Sequence, residues 1–297
     1  MTNTERPYRA ICFDLDGTLL PMDLDEFMQS YFKIIYDFMT ARGIDGGAFL
    51  EALQRGTRAM VVHDDGATNE EAFWDEFFKH ADPDAADWEA LLTEFYEGPF
   101  GELGAGVTPN PATAQALETL RAKGYPLVLT TMPMFPPQAV RWRLQWAGVG
   151  PDWFERLTTY DNSTTVKPQP RYYAENVAAL GVNGDDVLMV GNNTVEDLAF
   201  MGIGADGYLI TDWLLDPTDG FDLDRVKHGS MEDFARWVET LPPCANPATG
   251  IEPGPVAHAT AEAVLAANAT AAADAEAAAR YARSSADNAP FPATTKE

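Results

Sequence analysis

The sequence predicts an α/β fold, a Rossmann-like parallel sheet core carrying one inserted all-helical domain. Short apolar runs such as Ala10 to Phe13 and Asp186 to Val190 stop abruptly in polar residues, as strands buried on both faces do. From Gly104 onward these runs alternate with helical-period segments, the order that builds a parallel sheet with right-handed crossovers. Between Met22 and about Gly98 no run reads as a strand, and apolar residues recur at spacings of three and four.

Residues 8–20 give the first strand and an acidic loop closed by Gly17. The insert starts with a helix marked by Phe27, Tyr31, Ile34, Ile35 and Phe38 and ended by Gly43. A second helix runs from Gly47 through Met60, and the turn His63-Asp64-Asp65-Gly66 follows, with His63 expected in solvent. Thr68-Asn69-Glu70-Glu71 is an N-terminal signal for a third helix, and Asp87 to Tyr96 makes a fourth. In the core, helices are expected at Pro111–Lys123, Pro137–Ala147, Pro170–Leu180, Val195–Met201 and Met231–Leu241. The strands between them are Tyr125–Leu129, Leu157–Tyr160, Asp186–Val190 and Gly207–Ile210. The division expected is therefore 1–20 with 104–241 as core, 21–103 as helical insert, and 242–297 as a Pro- and Ala-rich tail, helical or disordered.

Composition narrows the function. Lys and Arg total 20 against 46 Asp and Glu, a formal net charge of −26, which argues against nucleic acid as a partner. Nothing in the chain is apolar for long enough to span a bilayer, and the start lacks a signal-peptide core, so no membrane partner is expected. The two cysteines, Cys12 and Cys244, cannot build a disulfide scaffold, and a reducing, cytoplasmic compartment fits. The histidines show no metal-ligand spacing. Oligomeric state is not legible.

Several polar stretches each follow a predicted strand, so they converge on one edge of the sheet. Asp14 and Asp16 follow the first, Thr130-Thr131 the second, a loop leading to Lys167-Pro168 the third, and Gly191-Asn192-Asn193 with Asp197 the fourth. Two carboxylates placed two residues apart repel one another, which a cation or a shared proton offsets. Carboxylates, a hydroxyl, one lysine and further oxygen ligands are the parts for Mg²⁺-assisted phosphoryl transfer. A carboxylate can attack phosphorus while cations neutralise the equatorial oxygens.

These stretches resemble the four motifs of the haloacid dehalogenase (HAD) superfamily. Asp14-Leu15-Asp16-Gly17-Thr18-Leu19 resembles the first in its phosphatase form, and the run from Lys123 to Thr131 the second. Lys167-Pro168-Gln169-Pro170-Arg171 resembles the third, and Val190-Gly191-Asn192-Asn193 through Asp197 the fourth. The resemblance covers residues 8 to about 241 and implies a hydrolase of phosphate monoesters acting on a small phosphorylated metabolite. It implies Asp14 as nucleophile and metal ligand, and Asp16 as a ligand through its carbonyl and as general acid and base. Thr131, rather than Thr130, and Lys167 would hold the phosphate; Asn192 and Asp197 would complete a Mg²⁺ site. The helical insert matches a C1-type cap that closes over the site.

Two residues depart from the pattern. Asn192 stands where the family usually has an acid, so a ligand charge is missing unless Glu196 or Asp197 restores it. Met132 replaces the asparagine that commonly follows the second-motif threonine. Rival readings are a phosphomutase of the same superfamily and a weakly active or non-catalytic binding protein on the same fold. Hydrolytic dehalogenation is disfavoured, because that branch lacks the second aspartate and Asp16 is present.

Overall fold

The computed structural model describes residues 6–270. Its centre is a six-stranded sheet of order β3-β2-β1-β4-β5-β6, every neighbouring pair parallel. The strands are β1 (Ala10–Phe13), β2 (Leu127–Leu129), β3 (Arg156–Leu157), β4 (Val187–Gly191), β5 (Asp206–Ile210) and β6 (Lys227–Gly229). The chain winds outward from β1 through β2 to β3, then returns to the other side of β1 for β4 to β6. That reversal opens a crevice at the carboxyl ends of β1 and β4, where open α/β sheets bind ligands. Register sets Phe13 opposite both Leu129 and Val190, so Asp14, Thr130 and Gly191 leave the sheet at one level.

Four helices between β1 and β2 form the cap: α1 (Leu24–Thr40), α2 (Gly46–Val62), α3 (Asn69–Phe77) and α4 (Trp88–Glu97). Each begins at a side-chain cap. Asp23, Asp45 and Asp87 accept backbone N–H bonds from the first turns, and Thr68 with Glu71 makes a reciprocal capping box. A 3₁₀ segment, Pro99–Gly104, leads back to the core. The cap interior is aromatic, with Tyr31, Phe38, Phe95 and Phe100 packed edge to face.

Around the sheet lie α5 (Pro111–Ala122), α6 (Pro137–Trp146), α7 (Pro170–Leu180) and α8 (Met231–Thr240). Gly181, at φ 62°, terminates α7 in the left-handed conformation that favours glycine. Expected and observed elements differ at three places. The helix expected at Val195–Met201 is a 3₁₀ helix at Leu198–Ile203, because the Asn193 side chain accepts the N–H groups of Val195 and Glu196 and holds an Asx turn there. β3 is two residues rather than Leu157–Tyr160. β6 went unforeseen because Lys227-His228-Gly229 is a polar, largely exposed edge with no apolar run.

The cap is tied to the core at the turn before α3. Asn69 is fully buried, and its amide donates to the carbonyls of Pro133 and Thr165 at 2.9 and 3.1 Å. Its oxygen meets His63 Nε2 at 2.8 Å, so His63, expected in solvent, instead has a side chain only 9% exposed. Beyond α8, the chain is pinned back across the core through Cys244 N–H to Lys123, Ala248 N–H to Arg9 and Glu252 N–H to Ala179. The Arg156 guanidinium holds the carbonyls of Glu252, Gly254 and Asn162. Residues 258–270 are helical, and the remainder of the Ala-rich tail lies outside the described residues. No helix among the described residues is long and apolar enough to cross a membrane.

Asn69→Ala removes the buried amide bonds and strands two carbonyls. It is expected to lower unfolding free energy by about 1–3 kcal/mol in urea titrations.

Candidate active site

The loop after β1 is tightly wound. Leu20 N–H and Thr18 N–H both bond to the Leu15 carbonyl, and Gly17 N–H bonds to that of Leu20. Gly17 has φ 80°, and a Cβ there would lie 2.2 Å from Asn192 Nδ2. Only glycine meets both conditions. The loop sets Asp14 at the floor of a cavity of about 1000 Å³ between core and cap, with Asp16 beside it.

Lys167 organises the floor. Its Nζ is 2.8 Å from Asp14 Oδ1 and 2.7 Å from Asp197 Oδ1, and the side chain is 1% exposed. Burial alone would lower the ammonium pKa, but Asp14 and Asp197 outweigh it and hold it well above the ordinary value. Lys167 therefore stays charged. The other Asp197 oxygen accepts the backbone N–H groups of Asn192 and Asn193, each at 2.9 Å. Both Asp197 oxygens are thus engaged, one orienting Lys167 and one shaping the turn after β4. Burial pushes the Asp197 carboxyl up to about 6, against the pull of Lys167.

The neighbouring threonines differ. Thr130 Oγ1 bonds to the Phe13 carbonyl and contacts Met189 sulfur, so it serves the sheet. Thr131 Oγ1 is buried without a partner, and Thr131 lines the cavity. Its carbonyl accepts from Thr158 and from Tyr172, whose ring is fully buried. Thr131 is thereby fixed by its backbone while its hydroxyl is left to a ligand.

Asp16 pairs with Arg143, which the sequence reading passed over. Arg143 comes from α6, is 1% exposed, and lies 4.6 Å over the Phe135 ring. Its Nη2 and Asp16 Oδ1 are both buried without partners. Burial raises the Asp16 carboxyl; Arg143 opposes the rise and Asp14 adds to it. A signal existed, since Arg143 falls on the apolar stripe of α6 with Ala139, Val140 and Leu144. An arginine in such a stripe needs a buried anion.

Thr18 Oγ1 stands 3.2 Å from Asp14 Oδ2 and 3.2 Å from Asn192 Oδ1. One hydroxyl proton cannot satisfy both oxygens, so one acceptor is left short. Glu196, on the same cavity wall, has its carboxyl raised by burial, with Lys167 pulling down and Asp14 pushing up. Carboxylates of Asp14, Asp16, Glu196 and Asp197 share the site with Lys167 and Arg143, the cations paired to Asp14, Asp197 and Asp16. The negative excess and oxygen-only donors fit a hard divalent cation. Among the described residues, no group of three His, Cys, Asp or Glu is arranged to hold a metal. Any cation here leans on the Asn192 amide and on backbone oxygen as much as on carboxylates.

Residues 8–202 match a family model described as haloacid dehalogenase-like hydrolase. A phosphoglycolate phosphatase of Caulobacter vibrioides is 24% identical over 82% of this chain and 96% of its own. Among solved structures, a HAD phosphatase from Thermococcus onnurineus shares 20% identity, with TM-score 0.49, over 79% of this chain and 99% of its own. An L-2-haloacid dehalogenase from Xanthobacter autotrophicus shares 17%, with TM-score 0.46, over the same proportions.

A Cβ at Gly191 would come within 2.2 Å of the Asp197 carboxylate. Gly191→Ala is expected to displace Asp197, costing roughly 1–3 kcal/mol of stability in thermal unfolding and a larger share of any activity.

Proposed function

We propose a phosphatase function from one established premise: this chain belongs to the haloacid dehalogenase-like hydrolase family. The proposed reaction is hydrolysis of a phosphate monoester of a small metabolite through a phosphorylated Asp14. The observation that carries it is the pair of carboxylates at the cavity floor with unlike surroundings. Asp14 is held by a charged lysine, and Asp16 is half-buried with one oxygen buried and unpartnered.

In the first half-reaction Asp14 oxygen attacks phosphorus as the bond to the leaving oxygen breaks, and Asp16 gives that oxygen its proton. In the second, Asp16 takes a proton from water as the water oxygen attacks phosphorus, releasing phosphate and restoring Asp14. A carboxyl raised by burial suits this exchange, because it can hold a proton nearer neutral pH. Lys167 and the Thr131 hydroxyl bind phosphoryl oxygens, and Asp197 keeps Lys167 in place. Mg²⁺, held by Asp14, the Asp16 carbonyl and Asn192 with Asp197 or Glu196 nearby, would supply positive charge to the phosphoryl group. Asp16 favours this reading over dehalogenation, in which the leaving halide takes no proton.

Asp14→Asn is expected to reduce turnover of p-nitrophenyl phosphate in Mg²⁺ by at least roughly a thousandfold, and undiminished turnover refutes the mechanism. Asn192→Asp adds the missing charge and is expected to tighten Mg²⁺ binding in calorimetric titration. No Mg²⁺ binding at millimolar concentration, with no turnover, would favour a non-catalytic binding protein on this fold.

A further inference from the structure

The cavity is larger and more apolar than removal of a phosphate from a short ester requires. At about 1000 Å³ it is at the upper end of the range, on the order of 300–1,000 Å³, that encloses drug-sized ligands. Above Asp14 its walls are Met28 and Phe32 of α1, Met60 of α2, Trp74 of α3, Tyr96 of α4 and Phe135. All but Met60 are only half-buried, so these faces are left for a ligand to cover.

Charge is divided across the cavity. The cap contributes Glu70, Glu71, Asp75, Glu89 and Glu97 to its lining and no Lys, Arg or His. The arginines that line it, Arg141 and Arg143, are on α6 in the core, and Arg143 is already paired with Asp16. An anionic group carried to the cap end would meet carboxylates and aromatic rings. A neutral or cationic one would meet complementary charge and ring faces.

We infer that the substrate is a phosphate monoester whose leaving group is bulky, largely apolar or aromatic, and without negative charge at its far end. This rests on the phosphatase reading and specifies its substrate class. The phosphoryl group occupies the floor by Asp14, Lys167 and Thr131. The leaving group extends upward between Phe32, Trp74 and Phe135, toward the acidic rim.

Non-hydrolysable phosphonates test this by binding alone, using the full chain in Mg²⁺ and calorimetry. Naphthylmethylphosphonate is expected to bind at least about tenfold more tightly than phosphonoacetate, and adding a carboxylate to the naphthyl ring is expected to weaken it several-fold. Trp74→Ala is expected to remove most of the naphthyl advantage; Phe32→Ala serves the same purpose if the tryptophan variant does not fold. Phosphonoacetate binding equally or better, no phosphonate binding, a carboxylate that strengthens binding, or an advantage untouched by either folded variant overturns the inference. Turnover of p-nitrophenyl phosphate lost in Asp14→Asn, together with no naphthyl advantage, overturns this inference and leaves the phosphatase reading standing. A naphthyl advantage with turnover that survives Asp14→Asn overturns the Asp14 mechanism and leaves only the cavity's preference for an aromatic, uncharged group.

Discussion

The candidate site depends on one buried cation held between two carboxylates. Lys167 contributes a single charge to Asp14 and Asp197; Lys167 and Asp197 lie out of solvent, while Asp14 reaches the cavity floor. Removing Lys167 would leave both carboxylates uncompensated, at a cost of roughly 3–5 kcal/mol for a buried pair. The arrangement persists because further donors share the load. Asp197 takes two backbone N–H bonds, and Asp14 shares the Thr18 hydroxyl with Asn192. The turn after β4, the loop after β1 and the segment carrying Lys167 are therefore fixed relative to one another by the same few charges.

The parallel core was legible because its strands are buried on both faces and read as unbroken apolar runs. The four helices of the insert were legible from caps at Thr68 and Asp87 and from apolar spacing. Residue pattern alone did not separate Thr130 from Thr131, because both end the same strand and only the pleat decides which hydroxyl faces the cavity; the motif resemblance favoured Thr131. Arg143 was missed since its partner, Asp16, is distant in the chain, and a charged residue in a helix reads first as surface. His63 was misjudged for a related reason. Its acidic turn looks solvated, while the Asn69 that buries it acts through tertiary contacts.

Cap and core contribute opposite qualities to the cavity. The core supplies the cations and the carboxylates of Asp14, Asp16 and Asp197; the cap supplies aromatic area and an acidic rim. The turn at His63 to Asn69 joins them through buried hydrogen bonds, so the cavity wall formed by α3 is indexed to the loops that carry Thr131 and Lys167. A shift of α3 therefore changes the cavity and the lysine loop together.

The central position of β1 has a consequence for how the chain comes together. Asp14 is made 153 residues before Lys167, and β4, whose Val190 carbonyl accepts the Asp14 backbone N–H, is later still. Until that strand arrives, β1 has a partner on one side only, although Arg143 and Lys167, the cations that pair with Asp16 and Asp14, precede it in the chain. The acidic loop after β1 is thus synthesised well before the strand that completes its surroundings. Contacts this distant slow folding and leave an apolar strand edge exposed in the meantime. During synthesis, the helical cap, built from local contacts, can be in place well before the floor it covers.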